Sequence, residues 1–162
     1  MKPNAITWTI LAAVVLGGAF LLSSTTPQEG VAPDNQIQVA SALTVDKELH
    51  DFGEVDIYGG VVTTEFQLTN TGTEDVTITD GTTSCGCTNA EIGGIGFGMH
   101  EEMARDFVIP GGETKPLTVI YDPLAHGPSG VGLAQRSVYL ATNSSVTPEL
   151  EVRIKALVTD SN

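Results

Sequence analysis

An alternation of apolar and polar residues with a period of two constrains the fold of this chain most strongly. Residues 62–69 read VTTEFQLT and residues 150–158 read LEVRIKALV, with the apolar side chains at every second position. Successive side chains of a β-strand point to opposite faces, so each segment predicts a strand with one buried face. Shorter alternations of the same kind occur at 43–45, 76–78, 117–121 and 138–140.

Turn-forming residues separate these segments, and no long helical period lies between them. The turn sequences are Tyr58-Gly59-Gly60, Asn70-Thr71-Gly72, Pro110-Gly111-Gly112, Asp122-Pro123 and Asn143-Ser144-Ser145. Glycine, proline, asparagine and aspartate adopt the backbone angles that tight turns require. About seven short strands joined in this way predict an all-β, immunoglobulin-like antiparallel β-sandwich over residues 43–162.

The amino-terminal segment has a different composition. Residues 6–22, ITWTILAAVVLGGAFLL, carry no charge, and Lys2 is the only basic residue before them. As a helix they would span roughly 26 Å, close to the ~30 Å hydrocarbon core of a bilayer. We therefore predict a transmembrane signal-anchor over residues 1–22, with Lys2 on the cytoplasmic side and the rest of the chain exported to the periplasm or cell surface. If this segment were instead a cleaved signal peptide, the protein would be secreted.

Residues 23–42 contain Pro27, Gly30 and Pro33 and no hydrophobic period, which is typical of a flexible linker. The predicted domain after it carries 18 acidic and six basic residues, and the whole chain has a formal charge of −13. Such a charge repels phosphate backbones and anionic lipid headgroups. It therefore argues against nucleic acid as a partner and leaves residues 6–22 as the predicted contact with the membrane.

Residues 84–108 interrupt the alternation. The segment reads SCGCTNAEIGGIGFGMHEEMARDFV and contains the only two cysteines of the chain, as Cys85-Gly86-Cys87. We predict an irregular insertion with a helical turn from Met99 to Asp106. Insertions between strands are where functional residues tend to lie. The glycines do not indicate a nucleotide site, because no Lys-Ser/Thr pair follows them and no βαβ unit surrounds them.

Several short motifs of the chain resemble a known family. These motifs are HDFGEV at 50–55, FQLTNTG at 66–72, SCGCT at 84–88, IPGGE at 109–113 and the pair Thr142-Asn143. Their order and spacing resemble the bacterial domain-of-unknown-function family numbered 1573 over residues 43–160. The resemblance implies an immunoglobulin-like domain related to those of Hydin and major sperm protein. It implies no catalytic residues, and the stretch between Thr88 and Ile109 is longer than the family pattern.

The two cysteines allow three interpretations. They could form a disulfide that closes a very small ring. As thiolates they could bind Cu(I), with Met99, His100 and Met103 or His50 completing the site, because thiolate, thioether and imidazole ligands select this ion. As a thiol-redox pair they would exchange electrons with partner thiols, although no basic residue lies nearby in the sequence to lower the thiol pKa.

The sequence shows no paired acid and base, no nucleophile with its base and no hydrolytic zinc pattern, so we expect no enzymatic activity and no catalytic residues. His126, in the segment AHGPSG, is expected to face solvent. The predicted function is a membrane-anchored, extracytoplasmic binding module that interacts with a protein or another component of the cell envelope. The alternatives are a Cu(I)- or other soft-metal-binding domain and a thiol-redox module. No cofactor other than Cu(I) is suggested.

Overall fold

The computed structural model describes residues 37–161, which form ten strands and one short 3-10 turn at Gly127–Gly130. The strands are β1 (Leu43–Val45), β2 (Leu49–Asp56), β3 (Val62–Asn70), β4 (Val76–Thr83), β5 (Thr88–Ile92), β6 (Ile95–Gly98), β7 (Phe107–Ile109), β8 (Thr114–Tyr121), β9 (Gly132–Thr142) and β10 (Glu149–Thr159). The prediction of an all-β domain is confirmed, with three strands more than expected.

The strands form two five-stranded sheets. The first sheet has the order β1-β3-β8-β5-β6, and the second has the order β2-β10-β9-β4-β7. Paired strands within residues 37–161 are antiparallel except β2 and β10, which run parallel. Phe66 and Val119 of the first sheet and Ile78 and Ile154 of the second are all at most 2% exposed. They belong to one hydrophobic cluster, so the domain is a two-layer sandwich.

The two long alternating segments lie in β3 and β10, as predicted. In β3, Phe66 and Leu68 are fully buried, whereas Glu65 is exposed. In β10, Val152 and Ile154 face the core, and Arg153 between them is exposed. Each of the five predicted turns joins two consecutive strands, and only the turn residue Asn70 is itself the last residue of a strand, β3.

The predicted irregular insertion contains a regular hairpin, so this part of the interpretation was wrong. β5 and β6 pair as antiparallel strands, and Gly93 and Gly94 adopt φ angles of +57° and +77° in the turn between them. Phe97 is buried against Gly81 of β4, where an added Cβ would lie 2.7 Å from the phenyl ring. The alternation was hidden in the sequence because alanine and glycine occupy several of its positions.

The helical turn predicted from Met99 to Asp106 is also absent, since none of these residues is helical. The Gly98 N–H donates to the carbonyl oxygen of Glu101 over 2.8 Å, and Met103 packs against the core. A single helical turn is too short to be stable without packing partners. Residues 99–106 form bends and irregular backbone instead.

The chain contacts the sandwich before β1. The Val39 N–H donates to the carbonyl oxygen of Asn143, and the Ser145 N–H donates to the carbonyl oxygen of Val39. The predicted signal-anchor over 1–22 and the predicted linker up to residue 36 lie outside the described residues. Within residues 37–161, no helix has the length and apolar character needed to cross a bilayer.

Candidate functional site

The Cys-Gly-Cys segment forms the turn between β4 and β5. Thr83, at the end of β4, is 3% exposed, and its hydroxyl donates to the carbonyl oxygen of Thr88 over 2.8 Å. The Thr88 N–H donates to the carbonyl oxygen of Cys85, which closes the turn. The Asp122 N–H donates to the carbonyl oxygen of Cys87 over 2.9 Å and ties the turn to the end of β8.

A second attachment joins this turn to β9 in the other sheet. The Ser84 N–H donates to the carbonyl oxygen of Ser137 over 3.0 Å, and the Ser137 N–H donates to the Ser84 hydroxyl over 2.9 Å. The turn is therefore fixed to both layers of the sandwich, which restricts the movement of its side chains.

Cys85 and Cys87 are joined as a disulfide, with their Cα atoms 5.2 Å apart. Cys87 is 3% exposed and belongs to the core cluster, whereas Cys85 is only partly buried at its edge. Of the three interpretations of the cysteines, the disulfide describes this state. Metal binding and thiol exchange concern the reduced or reacting cysteines and stay predictions.

Two basic side chains lie against the disulfide sulfurs. His126 Nε2 is 3.1 Å from Cys85 Sγ, and Arg136 Nε is 3.0 Å from Cys87 Sγ. The backbone N–H of Cys87 also donates to Cys85 Sγ over 3.2 Å. The two basic residues are 41 and 49 positions away along the chain, so the sequence near the cysteines could not reveal them.

The position of Arg136 in the sequence indicates that its side chain faces the core. It lies on the core-facing side of β9, in the series Ala134, Arg136, Val138 and Leu140, whose other members are buried. A cation among inward-facing apolar residues needs a polar partner. Its positive charge also acts on Tyr121: burial raises the pKa of this tyrosine, and Arg136 opposes the increase. His126 is exposed, as predicted, but its contact with Cys85 was not foreseen.

The predicted metal-binding residues are spread over different environments. Met99 is 48% exposed, and Met103 is partly buried against the core. His100 is exposed and lies over the turn, since a Cβ added to Gly86 would be 3.6 Å from its Cδ2. The predicted metal site on these residues stays a prediction.

The structure brings a different histidine to the cysteines. One ligand atom from each of Cys85, Cys87 and His126 lies within 4.8 Å of the others. In the described part of the chain, no other three histidine, cysteine or acidic side chains bring their ligand atoms so close together.

A second feature is the outer edge of β2. β2 has eight residues and pairs with β10 on one side; no other strand within residues 37–161 pairs with its outer side. The other three edge strands, β1, β6 and β7, have three, four and three residues. Short edge strands are a usual protection against unwanted pairing, so the long β2 edge is the exception in this domain.

A β-bulge divides β2. Asp51 pairs with Lys155 and Glu54 pairs with Leu157, so two residues of β2 oppose one residue of β10. Gly53 supplies the bulge conformation with a φ of +68°. Bulges increase the local twist and redirect side chains at sheet edges.

The edge of β2 opens into an acidic groove of about 290 Å³, lined in part by Phe52, Glu54, Asp56 and Val62. At the start of the strand, the Asp51 carboxylate accepts from the Lys155 ammonium over 2.8 Å, and this contact holds the pKa of Asp51 below its usual value. The groove therefore combines apolar surface with carboxylates beside a strand edge that pairs with no other described strand, although the Gly53 N–H of this strand already donates to the Asp51 carboxylate over 2.9 Å.

A family model described as a protein of unknown function (DUF1573) matches residues 43–158. This range contains the motifs on which the sequence resemblance depends. No curated protein sequence matches the chain.

Solved structures share the sandwich at low identity. A protein of unknown function from Porphyromonas gingivalis W83 is 16% identical, with a TM-score of 0.59 over 76% of this chain and 51% of that one. The VesB protease of Vibrio cholerae is 18% identical, with a TM-score of 0.52 over 70% of this chain and 31% of that one. PapD-like domain 7 of human CEP192 is 13% identical, with a TM-score of 0.48 over 85% and 98%. The chain thus spans about half of the first protein and about a third of the second.

Proposed function

The chain belongs to the DUF1573 family of proteins of unknown function, and we propose that its sandwich is an extracytoplasmic binding module that adds an extended segment of a partner protein to the edge of β2. The observation that carries this proposal is the eight-residue edge strand whose outer side pairs with no strand of residues 37–161. Strand addition obtains its affinity from main-chain hydrogen bonds and its specificity from alternate side chains. The main-chain groups along an open edge of this length can supply that affinity.

The groove beside β2 can supply the specificity of strand addition. Alternate side chains of an added strand would point toward Phe52 and Val62, next to the carboxylates of Glu54 and Asp56. Opposite charges across an interface favour association and exclude partners of like charge. The partner segment should therefore alternate basic and apolar residues.

A synthetic peptide that alternates lysine and valine serves as the probe, and fluorescence anisotropy of the labelled peptide measures its binding to the full chain in mild detergent. The matched control peptide has the same sequence but carries N-methyl groups on the backbone nitrogens of one edge. N-methylation removes the main-chain donors and leaves the charges unchanged. We expect binding of the first peptide and none of the second. Equal binding of both would contradict strand addition.

Charge reversal separates the β2 edge from the general negative charge of the domain. Glu54→Lys reverses one charge at the groove, whereas Glu91→Lys makes the same change on β5, at an exposed position of the other sheet. An exposed ion pair contributes up to about 1 kcal/mol, so Glu54→Lys should raise the Kd of the peptide about 3- to 5-fold. Glu91→Lys should leave it unchanged. An equal effect of the two variants would indicate nonspecific electrostatic binding.

We further propose that residues 6–22 anchor the chain in the membrane and that the sandwich lies on the outer side. The apolar composition of this segment supports anchoring, and the Cys85–Cys87 disulfide suits an oxidising compartment outside the cytoplasm. Alkaline phosphatase fused after Asn162 should be active in whole cells, and the fusion should sediment with membranes. An inactive fusion would contradict export.

Binding of a soft metal by the reduced protein is a second candidate function, favoured by the proximity of Cys85, Cys87 and His126. Arg136 beside Cys87 opposes it, because its fixed positive charge repels a cation. The full chain with reduced cysteines should compete with a chromogenic chelator for Cu(I). His126→Asn should weaken binding if the histidine is a ligand, and Met103→Ala should weaken it if the sequence-predicted ligands are used. Failure of the reduced protein to compete would end this candidate.

A further inference from the structure

The Cys85–Cys87 disulfide is surrounded by hydrogen-bond donors. Cys85 Sγ has His126 Nε2 at 3.1 Å and the Cys87 N–H at 3.2 Å. Cys87 Sγ has Arg136 Nε at 3.0 Å and the Thr88 hydroxyl at 3.7 Å. A disulfide sulfur carries no hydrogen, so these contacts can be hydrogen bonds only if the neighbouring groups donate to sulfur.

These donors suit the reduced cysteines better than the disulfide. Neutral sulfur is a weak acceptor, whereas a thiolate is an anion that forms strong hydrogen bonds with cationic donors. The permanently charged Arg136 should therefore stabilise the Cys87 thiolate more than the disulfide and make the disulfide easier to reduce. The guanidinium is also held in place, because Arg136 Nη1 donates to the carbonyl oxygen of Gln135 over 2.7 Å.

The two cysteines differ in burial, and this difference indicates which sulfur a partner thiol attacks. As a residue, Cys85 is less buried than Cys87, and its neighbour His126 is exposed, so Cys85 lies on the solvent side of the disulfide. Cys87 is 3% exposed, and its sulfur lies beside the partly buried Arg136. Salt therefore screens the attraction between a Cys87 thiolate and the Arg136 guanidinium less than it screens an ion pair at the surface. Attack at Cys85 would leave Cys87 as the thiolate that the guanidinium stabilises.

We propose that Cys85–Cys87 is a redox-active disulfide that oxidises a dithiol of a protein in the same compartment. A partner thiolate attacks Cys85 Sγ, the Cys85–Cys87 bond breaks, and its electron pair leaves on Cys87 Sγ. The second partner thiolate attacks the partner sulfur of this mixed disulfide and displaces Cys85 Sγ. The partner loses two electrons and two protons and becomes a disulfide, while Cys85 and Cys87 become the dithiol. This activity does not depend on binding at the edge of β2.

The redox equilibrium of the full chain in mixtures of reduced and oxidised glutathione tests the role of Arg136, with free thiols trapped by alkylation and counted by mass. Arg136→Met retains the apolar part of the side chain and removes the charge. Hydrogen bonds to charged groups contribute about 1.5–3 kcal/mol, so this variant should shift the equilibrium at least about 10-fold toward the disulfide. Arg153→Met, the same change at an exposed arginine of the adjacent strand β10, should not shift it. An unchanged equilibrium in Arg136→Met would overturn the proposal.

Single cysteine variants test the direction of attack and do not require Arg136→Met to fold. In Cys87→Ser, the less buried Cys85 should form a mixed disulfide with glutathione rapidly. In Cys85→Ser, the buried Cys87 should do so at least about 10 times more slowly. Equal rates in the two variants, or a faster rate at Cys87, would contradict the assignment of Cys85 as the attacked sulfur.

The reaction itself can be followed with reduced dithiothreitol as the probe dithiol. The oxidised full chain should consume one equivalent of dithiothreitol and yield two free thiols, more slowly in Arg136→Met than in Arg153→Met. A disulfide that resists dithiothreitol in the folded chain would be purely structural, and the proposal would then be wrong.

Discussion

Replacement of Ile154 by alanine tests the arrangement of the two sheets. Ile154 lies in β10, is 2% exposed and belongs to the core cluster between the sheets. The change removes three carbons, which corresponds to about 2.4 kcal/mol at roughly 0.8 kcal/mol per buried methylene. The cavity that remains adds to this cost, so Ile154→Ala should lower the free energy of unfolding by about 2–5 kcal/mol.

Urea unfolding followed by circular dichroism measures this difference. With a slope of about 2 kcal/mol per molar urea, the midpoint should fall by about 1–2.5 M, provided that the transition is two-state. Lys155→Ala is the matched control, because Lys155 is the next residue of the same strand and points outward toward Asp51. Its exposed ion pair stabilises the fold little. Equal midpoints for the two variants would refute the assignment of inward and outward faces.

Three further predictions follow from particular contacts. Gly81→Ala places a Cβ 2.7 Å from the Phe97 ring and should lower the free energy of unfolding in urea by about 1–3 kcal/mol. Gly96→Ala should be tolerated, because an added Cβ there has only a side-chain oxygen at 3.9 Å. A larger loss of stability in Gly96→Ala than in Gly81→Ala would show that the β5–β6 hairpin does not pack on β4. Lys155 lowers the pKa of Asp51 in the folded state. The parent should therefore be more stable than Lys155→Ala above the usual carboxyl pKa, and this difference should disappear as the pH falls through the lowered pKa. A difference in stability that grows in acid would contradict this linkage. Removal of the predicted membrane segment should leave a soluble fragment with a strand-type circular dichroism spectrum, and a mainly helical spectrum would contradict the fold.

Regular strands were predictable from the sequence because burial of one face imposes a period of two. This reasoning located β3 and β10, but it failed for β2, where the bulge at Gly53 shifts the alternation by one residue. Val55 therefore faces the core, whereas Glu54 does not. It also failed for the β5–β6 hairpin, where small residues replace the large apolar side chains that make an alternation visible.

The candidate site was predictable only in part, for a similar reason. The short spacing of Cys85 and Cys87 identified them as a pair, because local geometry limits what two such residues can do. The basic residues beside them come from a loop after β8 and from β9, and only the three-dimensional fold brings them close. A predicted register for β9 would have marked Arg136 as an inward-facing cation in need of a partner.

Strand addition at β2 is tested most directly by hydrogen–deuterium exchange of the full chain, measured by mass spectrometry with and without the alternating lysine–valine peptide. Unpaired backbone N–H groups exchange quickly, and hydrogen bonds with an added strand slow them. The proposed function predicts slower exchange in residues 49–56 on peptide addition, with no such change for the N-methylated peptide. Leu133 of β9 and Leu157 of β10 pair with each other and are both exposed on the outward face of the second sheet. Protection confined to this face or to the edges at β1, β6 or β7, with none at β2, would contradict the proposed function.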